Sequence, residues 1–489
     1  MSAIRGSRRA FVTGLAAGAS SLVLGFDPER RAWVTSADAA SHAIRIPHLD
    51  GQLLTDPATL AAFGDDFGHV VRDTPIAVLK PGSVDDVARA VAFCRAHQIH
   101  VVMRGQGHST FGQAQALAGI VIDSSTLAAI EKVGTGFAVV QAGVRWHDFL
   151  VAVEPSGQRP AVITGYTELS VGGTLSMGGI GPASFRHGAI VDNVLEVDVV
   201  TGDGVLRTCS PAENPVLFAA VIGGIGQYGI IVRAKVKLVS VPPNARSYVI
   251  TYFDFPTFFG DMNALVAEDR VDGIYALFGA PAPTPSGFVY QLNVVKYFAT
   301  GSPPDDHALL EGLHFDATTQ LATADMTALE FDILVDAQLD ALPVGPHVWG
   351  DYLLPASQTA SFVPSALSQI APGDLSAPGF VGFVLLFPVK NRFPRAVAFR
   401  LPNEPLVFLF DVLTAGDPND PNYAATQIPK ARARFEAARD IGATIYPIGS
   451  TPMSKHDWAR QYGPLYPILR AVKARFDPAG ILTPGPGIF

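Results

Sequence analysis

The run Val101-Val102-Met103-Arg104-Gly105-Gln106-Gly107-His108-Ser109-Thr110-Phe111-Gly112-Gln113 constrains this chain more than any other. An apolar strand passes into a turn with three glycines in eight residues, and one imidazole stands at its centre. Glycine lets a backbone approach a bulky ligand closely, and the N–H groups of such a turn can converge on an anion. A histidine there can touch whatever the turn cradles. The plain alternative is a surface turn with a chance histidine, because short motifs also arise by accident.

A second glycine-rich run spans 172–181, with five glycines in ten residues. Its backbone donors, with the Thr174 and Ser176 hydroxyls, suit an extended diphosphate. The neighbouring Ile163, Leu169, Val171, Leu175 and Ile180 are too apolar for a mobile surface loop. A third run, Gly224-Ile225-Gly226-Gln227-Tyr228-Gly229, fits the G-x-G-x-x-G string. A nicotinamide site needs a helix after that string. Here residues 230–239 alternate apolar and basic, which is a strand pattern. The string is therefore rejected as a Rossmann site, and its glycines let the chain pass close to a ligand or another strand.

Strands and helices alternate through the first half. Residues 74–82 form a short apolar strand closed by Pro81-Gly82. Ser83 caps a helix whose Val84, Val87, Ala88, Val91 and Ala92 recur at helical spacing. Strands follow at 119–123, 138–144 and 194–200, the last ending in the hairpin signal Thr201-Gly202-Asp203-Gly204. The character changes near Val241-Pro242-Pro243, after which long strand-like runs such as 288–298 and 381–389 dominate. A chain of 489 residues exceeds one ordinary core, so this second region reads as a separate domain.

The net charge of −9 argues against a nucleic-acid partner, whose phosphates favour basic patches. Cys94, on a helix, and Cys209, ending a strand, are the only cysteines and read as plain buried thiols. No spacing of ligand residues supports a metal site. At the N-terminus, Ser7-Arg8-Arg9-Ala10-Phe11-Val12 precedes an apolar stretch reaching Gly25, which looks like a twin-arginine export signal over 1–40. At about 14 residues the stretch is too short for a stable membrane span. Ala37-Asp38-Ala39 offers a small-residue cleavage site. The alternative is a frayed basic terminus.

Taken in order, the motifs resemble cytokinin dehydrogenase and its bacterial relatives, FAD-linked oxidases related to vanillyl-alcohol oxidase. The matching pieces include Asp66-Phe67-Gly68, the His108 loop, Leu169-Ser170-Val171-Gly172-Gly173-Thr174-Leu175-Ser176, Phe185-Arg186-His187-Gly188, the 223–231 run and Phe476-Asp477-Pro478. The resemblance implies an α+β, two-domain PCMH-type FAD-binding fold with a separate α+β substrate domain. The FAD-binding domain would span 45–243, the substrate domain 244–440, and 441–489 would return to the first. By position, His108 would carry FAD covalently. Gly105, Gln106, Gly107, Ser109, Gln113, Ser170, Gly173, Thr174, Ser176, Ile180 and Ile230 would contact the cofactor.

The substrate half departs from the family. The aspartate that deprotonates the amine in plant members is replaced by Gly165, which cannot be a base. The closing glutamine is Pro486, and the His-Pro-Trp segment is His347-Val348-Trp349. Tyr166, Glu168, Asp351 and Tyr446 remain as candidate bases. Each has a plain alternative: packing for the tyrosines, a turn cap for Glu168 and a solvated loop acid for Asp351. The expectation is an exported flavoprotein oxidoreductase. It would take a hydride from a C–H bond next to an amine or alcohol of a small molecule onto flavin N5, with O2 or a quinone as electron acceptor. The alternatives are an alcohol or sugar oxidase of the same fold, and a natural-product flavoprotein with a non-redox cyclase or ligand-binding role.

Overall fold

A computed structural model describes residues 23 and 25–34, then 43–489 except 280–283, 285, 341–343, 376–381 and 393–395. The chain forms a two-domain α+β fold built on three main sheets. The first lobe holds a four-stranded sheet in the order Gln52–Leu54, Ala77–Lys80, Ile120–Asp123, Val101–Arg104. Ala77–Lys80 and Val101–Arg104 both run parallel to the strand between them. Parallel strands need a crossover, and the helix Val84–Ala96 supplies it. The Ser83 side chain accepts from the Asp86 N–H at its first turn, a cap contributing about 1 kcal/mol. The helix buries Val87, Ala90, Val91 and Cys94 against the sheet.

A six-stranded antiparallel sheet follows, with Ile230–Ser240 at its centre between Val194–Val200 and Phe137–Gln141. The strand pattern after the Gly224 string is thus a central strand, and Thr201–Gly204 joins the antiparallel pair Val194–Val200 and Leu206–Cys209. The chain end returns to this lobe. The Val101 N–H donates to the Ile481 carbonyl and the Thr483 N–H to the Val101 carbonyl, both at 2.9 Å. The buried Lys473 ammonium donates to the Gln227 and Leu482 carbonyls and pairs with Asp477 at 2.7 Å.

The second lobe is an eight-stranded antiparallel sheet drawn from Asn244–Tyr252 through Thr444–Ile445. Its two faces differ. One packs on helices: Phe258 meets Phe278 and Tyr290, Phe259 meets Phe408, and Phe435 stacks on Tyr352. The other faces the first lobe and keeps Tyr275, Trp349, Phe383 and Leu385 only half-buried.

Much of the expected export segment, including Arg8-Arg9 and Ala37-Asp38-Ala39, lies outside the described residues. Gly25–Asp27 and Ala32–Val34 form an antiparallel hairpin packed on the first lobe, with Phe26 only 1 % exposed and its ring 6.0 Å from Phe93. The Trp33 indole N–H donates to the Ile76 carbonyl at 2.7 Å. Among the described residues no helix is long and apolar enough to cross a membrane.

Candidate active site

The strand Val101–Arg104 delivers the glycine turn to the junction of the two lobes, and Asp66 holds the turn in shape. Its carboxylate accepts from the Gly112 N–H at 2.7 Å, the Gly68 N–H at 3.1 Å and the Ser109 hydroxyl at 3.2 Å. Burial outweighs these donors and raises its pKa to about 6. Arg104 clasps the Phe63 and Asp65 carbonyls from the other side. Gly107 sits at φ +67°, and a Cβ there would stand 2.2 Å from the Arg104 guanidinium. Only glycine fits.

His108 lies in an aromatic stack. The Phe67 ring is sandwiched between His108 at 4.1 Å and His347 at 4.2 Å, and Trp349 stands 5.5 Å from His108. The first lobe contributes His108 and Phe67, and the second contributes His347 and Trp349. Burial, with His347 adding to it, pushes the His108 pKa down to about 3, so its imidazole is neutral with a free lone pair. The His347 ring bonds the Phe67 carbonyl at 3.1 Å through Nδ1. The His-Val-Trp departure therefore still places both rings at the junction.

A cavity opens beside this stack, between the His108 turn and the 170–176 segment. Of the expected cofactor contacts, all but Ile180 line it. Ile180 is 7 % exposed and belongs to the apolar core. Among the described residues, nothing accepts from the backbone N–H groups of 106–109, which leaves four consecutive donors at the cavity wall. Unpaired N–H groups held together like this suit phosphate oxygens. Gly105 presses so close to the facing wall that a Cβ would meet the Ser170 hydroxyl at 2.0 Å. The donors and the close-set glycines fit FAD.

Several expected contacts have other duties. The first part of the 172–181 run is helical: Val171–Met177 forms a helix with Ser170 as its cap. The Thr174 hydroxyl accepts from the Trp146 indole and donates to the Ser170 carbonyl, both at 3.0 Å. The Ser176 hydroxyl donates to the Gly172 carbonyl at 2.8 Å. The Gln113 amide donates to the Gly449 carbonyl at 2.8 Å and ties the turn to the second lobe. These side chains line the cavity but their polar groups are largely committed to the fold. Ile225 and Gly226 of the 224–229 string line it too, and so do Ile448 and Thr483, which were not singled out from sequence. Those last two carry no motif. Asp66 was quoted only as part of a matching string, and a role for its carboxylate had no sequence signal.

The base candidates separate clearly. The Tyr166 ring is 5.0 Å from His108, but its hydroxyl donates to Asp340 at 2.8 Å. Glu168 is ion-paired with Arg145. The Tyr446 hydroxyl accepts from the Gly179 N–H at 3.2 Å, and burial raises both tyrosine pKa values, so these phenols keep their protons. Of the four, only Tyr446 lines the cavity. Asp351 is not a solvated loop acid: it lies within a strand and is 0 % exposed. Gly165 is exposed, and a Cβ there would meet nothing within 4 Å. His147, Glu168 and Asp336 bring potential metal-ligand atoms within 4.8 Å of one another. However, Arg145 holds Glu168 and Thr167 bonds both Asp336 oxygens, so the group clasps the two lobes together.

Comparison with known proteins agrees with this architecture. Residues 75–210 match the family described as FAD binding domain, and 282–489 match cytokinin dehydrogenase 1, FAD and cytokinin binding. An oxidoreductase of the fasciation locus in Rhodococcoides fascians is 34 % identical over 88 % of this chain and 97 % of its own length. Cytokinin dehydrogenase 2 of Arabidopsis thaliana is 31 % identical over 89 % of this chain and 93 % of its own. The solved structure of 6-hydroxy-D-nicotine oxidase from Arthrobacter nicotinovorans superposes with a TM-score of 0.71, covering 90 % of this chain and 98 % of that one at 22 % identity. It shares the fold.

Proposed function

The chain belongs to the cytokinin dehydrogenase family of FAD-dependent oxidoreductases, and from that premise we propose that it oxidises a C–H bond next to an amine or alcohol of a small molecule while FAD is tethered to His108. The observation that carries the tether is a neutral imidazole next to four unpaired backbone donors. Its lone pair can bond to carbon, and the donors beside it suit the cofactor's phosphates. FAD supplies the acceptor for a hydride. The chain's own work is to bind and orient the substrate between the half-buried Trp349, Phe383 and Leu385 wall and the His108 turn. That wall is apolar and aromatic, which suits a flat or alkyl-bearing compound such as a cytokinin-type amine.

The deciding experiment is an anaerobic screen of amines, alcohols and cytokinins, scored by loss of the oxidised-flavin absorbance. Bleaching by an amine or alcohol is the expected result. A flavin that no compound reduces would overturn the substrate reading.

We also propose export through the Arg8-Arg9 segment, with any cut ahead of Gly25. The hairpin at 25–34 supports this placement, since removal at Ala37-Asp38-Ala39 would strip Phe26 and Trp33 from their packing. Mass spectrometry of the exported protein should find residues 25–34 retained. Retention of the protein in the cytoplasm, unaffected by replacing both arginines with lysine, would end the export reading.

A further inference from the structure

Asp351 and Asp411 face each other directly where His347–Pro355 pairs with Leu406–Ala415. Both are interior, Asp351 at 0 % and Asp411 at 5 % exposure. Neither oxygen of Asp351, nor Oδ1 of Asp411, has a hydrogen-bond partner among the described residues. Two ionised carboxylates here would be buried, adjacent and without a donor, which is costly. A single proton held between them removes one charge and gives the other carboxylate a donor.

Their place in the sheet matters as much as their pairing. Side chains alternate along a strand, so His347, Trp349 and Asp351 share one face. That face meets Phe67 and His108. Across the sheet Asp411 pairs with Leu385, and Leu385 with Leu277, both half-buried apolar residues. The two carboxyls are thus the polar centre of the apolar sheet face whose His347 and Trp349 meet the His108 turn. Gly449 presses on them so closely that a Cβ would stand 2.1 Å from Asp351 Oδ2, so Asp351 is sealed and Asp411 keeps the remaining access. The other titratable groups near the pair are His347 on the same strand face and the Tyr446 phenol, which keeps its proton. Arg434 lies beside Tyr352 on the helix behind the sheet. Burial and mutual proximity hold the ionisation of the pair above the ordinary carboxylate range.

We propose that Asp351 and Asp411 share one proton and that Asp411, positioned by Asp351, is the proton acceptor of the oxidation, in place of the family aspartate that Gly165 lacks. This rests on the reading of the protein as an oxidoreductase of amines or alcohols. The substrate loses a hydride to the enzyme's FAD and its N–H or O–H proton to Asp411. The substrate C–N or C–O bond becomes double, and the proton already present settles on Asp351.

Infrared spectroscopy of the holoprotein tests the pair without any substrate. At neutral pH the wild type should show a protonated-carboxyl C=O band that shifts in D2O. Asp351→Asn and Asp411→Asn, close in shape to aspartate, should each move the band to a different frequency, because burial keeps the remaining carboxyl protonated but its proton is no longer shared with a second carboxylate. Absence of the band in wild type, or an unmoved band in both variants, overturns the shared proton. The catalytic role is read separately, with the compound that bleaches the wild-type flavin. Asp411→Asn should slow anaerobic reduction by about 10²–10⁴-fold and flatten its pH profile while leaving substrate affinity nearly unchanged. An unchanged rate and profile overturns that role even if the band behaves as expected. A wild-type flavin that nothing bleaches counts against the oxidoreductase substrate reading, and the infrared result still decides the pair.

Discussion

The His108 turn and the sheet wall facing it solve opposite problems. In the turn, polar side chains are satisfied by their neighbours: Asp66 accepts from two backbone N–H groups and the Ser109 hydroxyl, and Arg104 clasps two carbonyls, while the unpaired groups are N–H donors fit for an anion. In the wall, the unpaired groups are carboxylate oxygens surrounded by apolar side chains. One region is built to hold a negatively charged cofactor still. The other is built to change its protonation. The difference shows how one enzyme can bind its cofactor rigidly and still leave a reactive group poised opposite it.

The largest test of this contrast is His108→Ala. It should abolish flavin that survives acid precipitation while the donors at 106–109 still bind FAD reversibly, measured as fluorescence in pellet and supernatant. Acid-stable flavin in the variant would place the tether elsewhere. Asp66 offers a test of rigidity. Its folded pKa of about 6 lies above the unfolded value of 3.8, so the unfolded state ionises first and wild-type stability should fall as pH rises from about 4 to 6, by up to about 3 kcal/mol. Denaturation of wild type against Asp66→Asn across that range should show the slope in wild type alone. A flat difference would mean that the three donors fully compensate for burial.

Gly165→Asp sharpens the wall side. Open space at Gly165 can take the side chain. In an Asp411→Asn background the new carboxylate should restore anaerobic flavin reduction by an amine at least about tenfold. No recovery would mean that position 165 does not reach the substrate here. The smallest effect is expected at Ser83→Ala, which loses a helix cap worth about 1 kcal/mol in thermal unfolding. Flavin reduction should be unchanged, and a kinetic effect would tie the crossover helix to the His108 turn.

The cofactor side was the more legible from sequence because its constraints are local. Gly107 needs a left-handed backbone next to Arg104, three residues away. Ser83 caps the helix it precedes, and the alternation after Gly229 marks a central strand within one segment. What was not legible is what distant groups decide. Thr174 and Ser176 line the cavity, while the helix around them and the Trp146 indole engage their hydroxyls. Ile180 stands in a glycine run yet packs in the core. Phe26 packs on Phe93, far along the chain.

The sequence alone determined that a glycine turn with an embedded imidazole can approach a large ligand closely, because glycine spacing is a covalent fact that no packing alters. Only the tertiary structure decided what stands opposite that turn. Asp351 and Asp411 lie 60 residues apart in the chain, and neither is unusual on its own strand. Antiparallel register places one against the other, and burial removes the water that would have kept both ionised and unremarked.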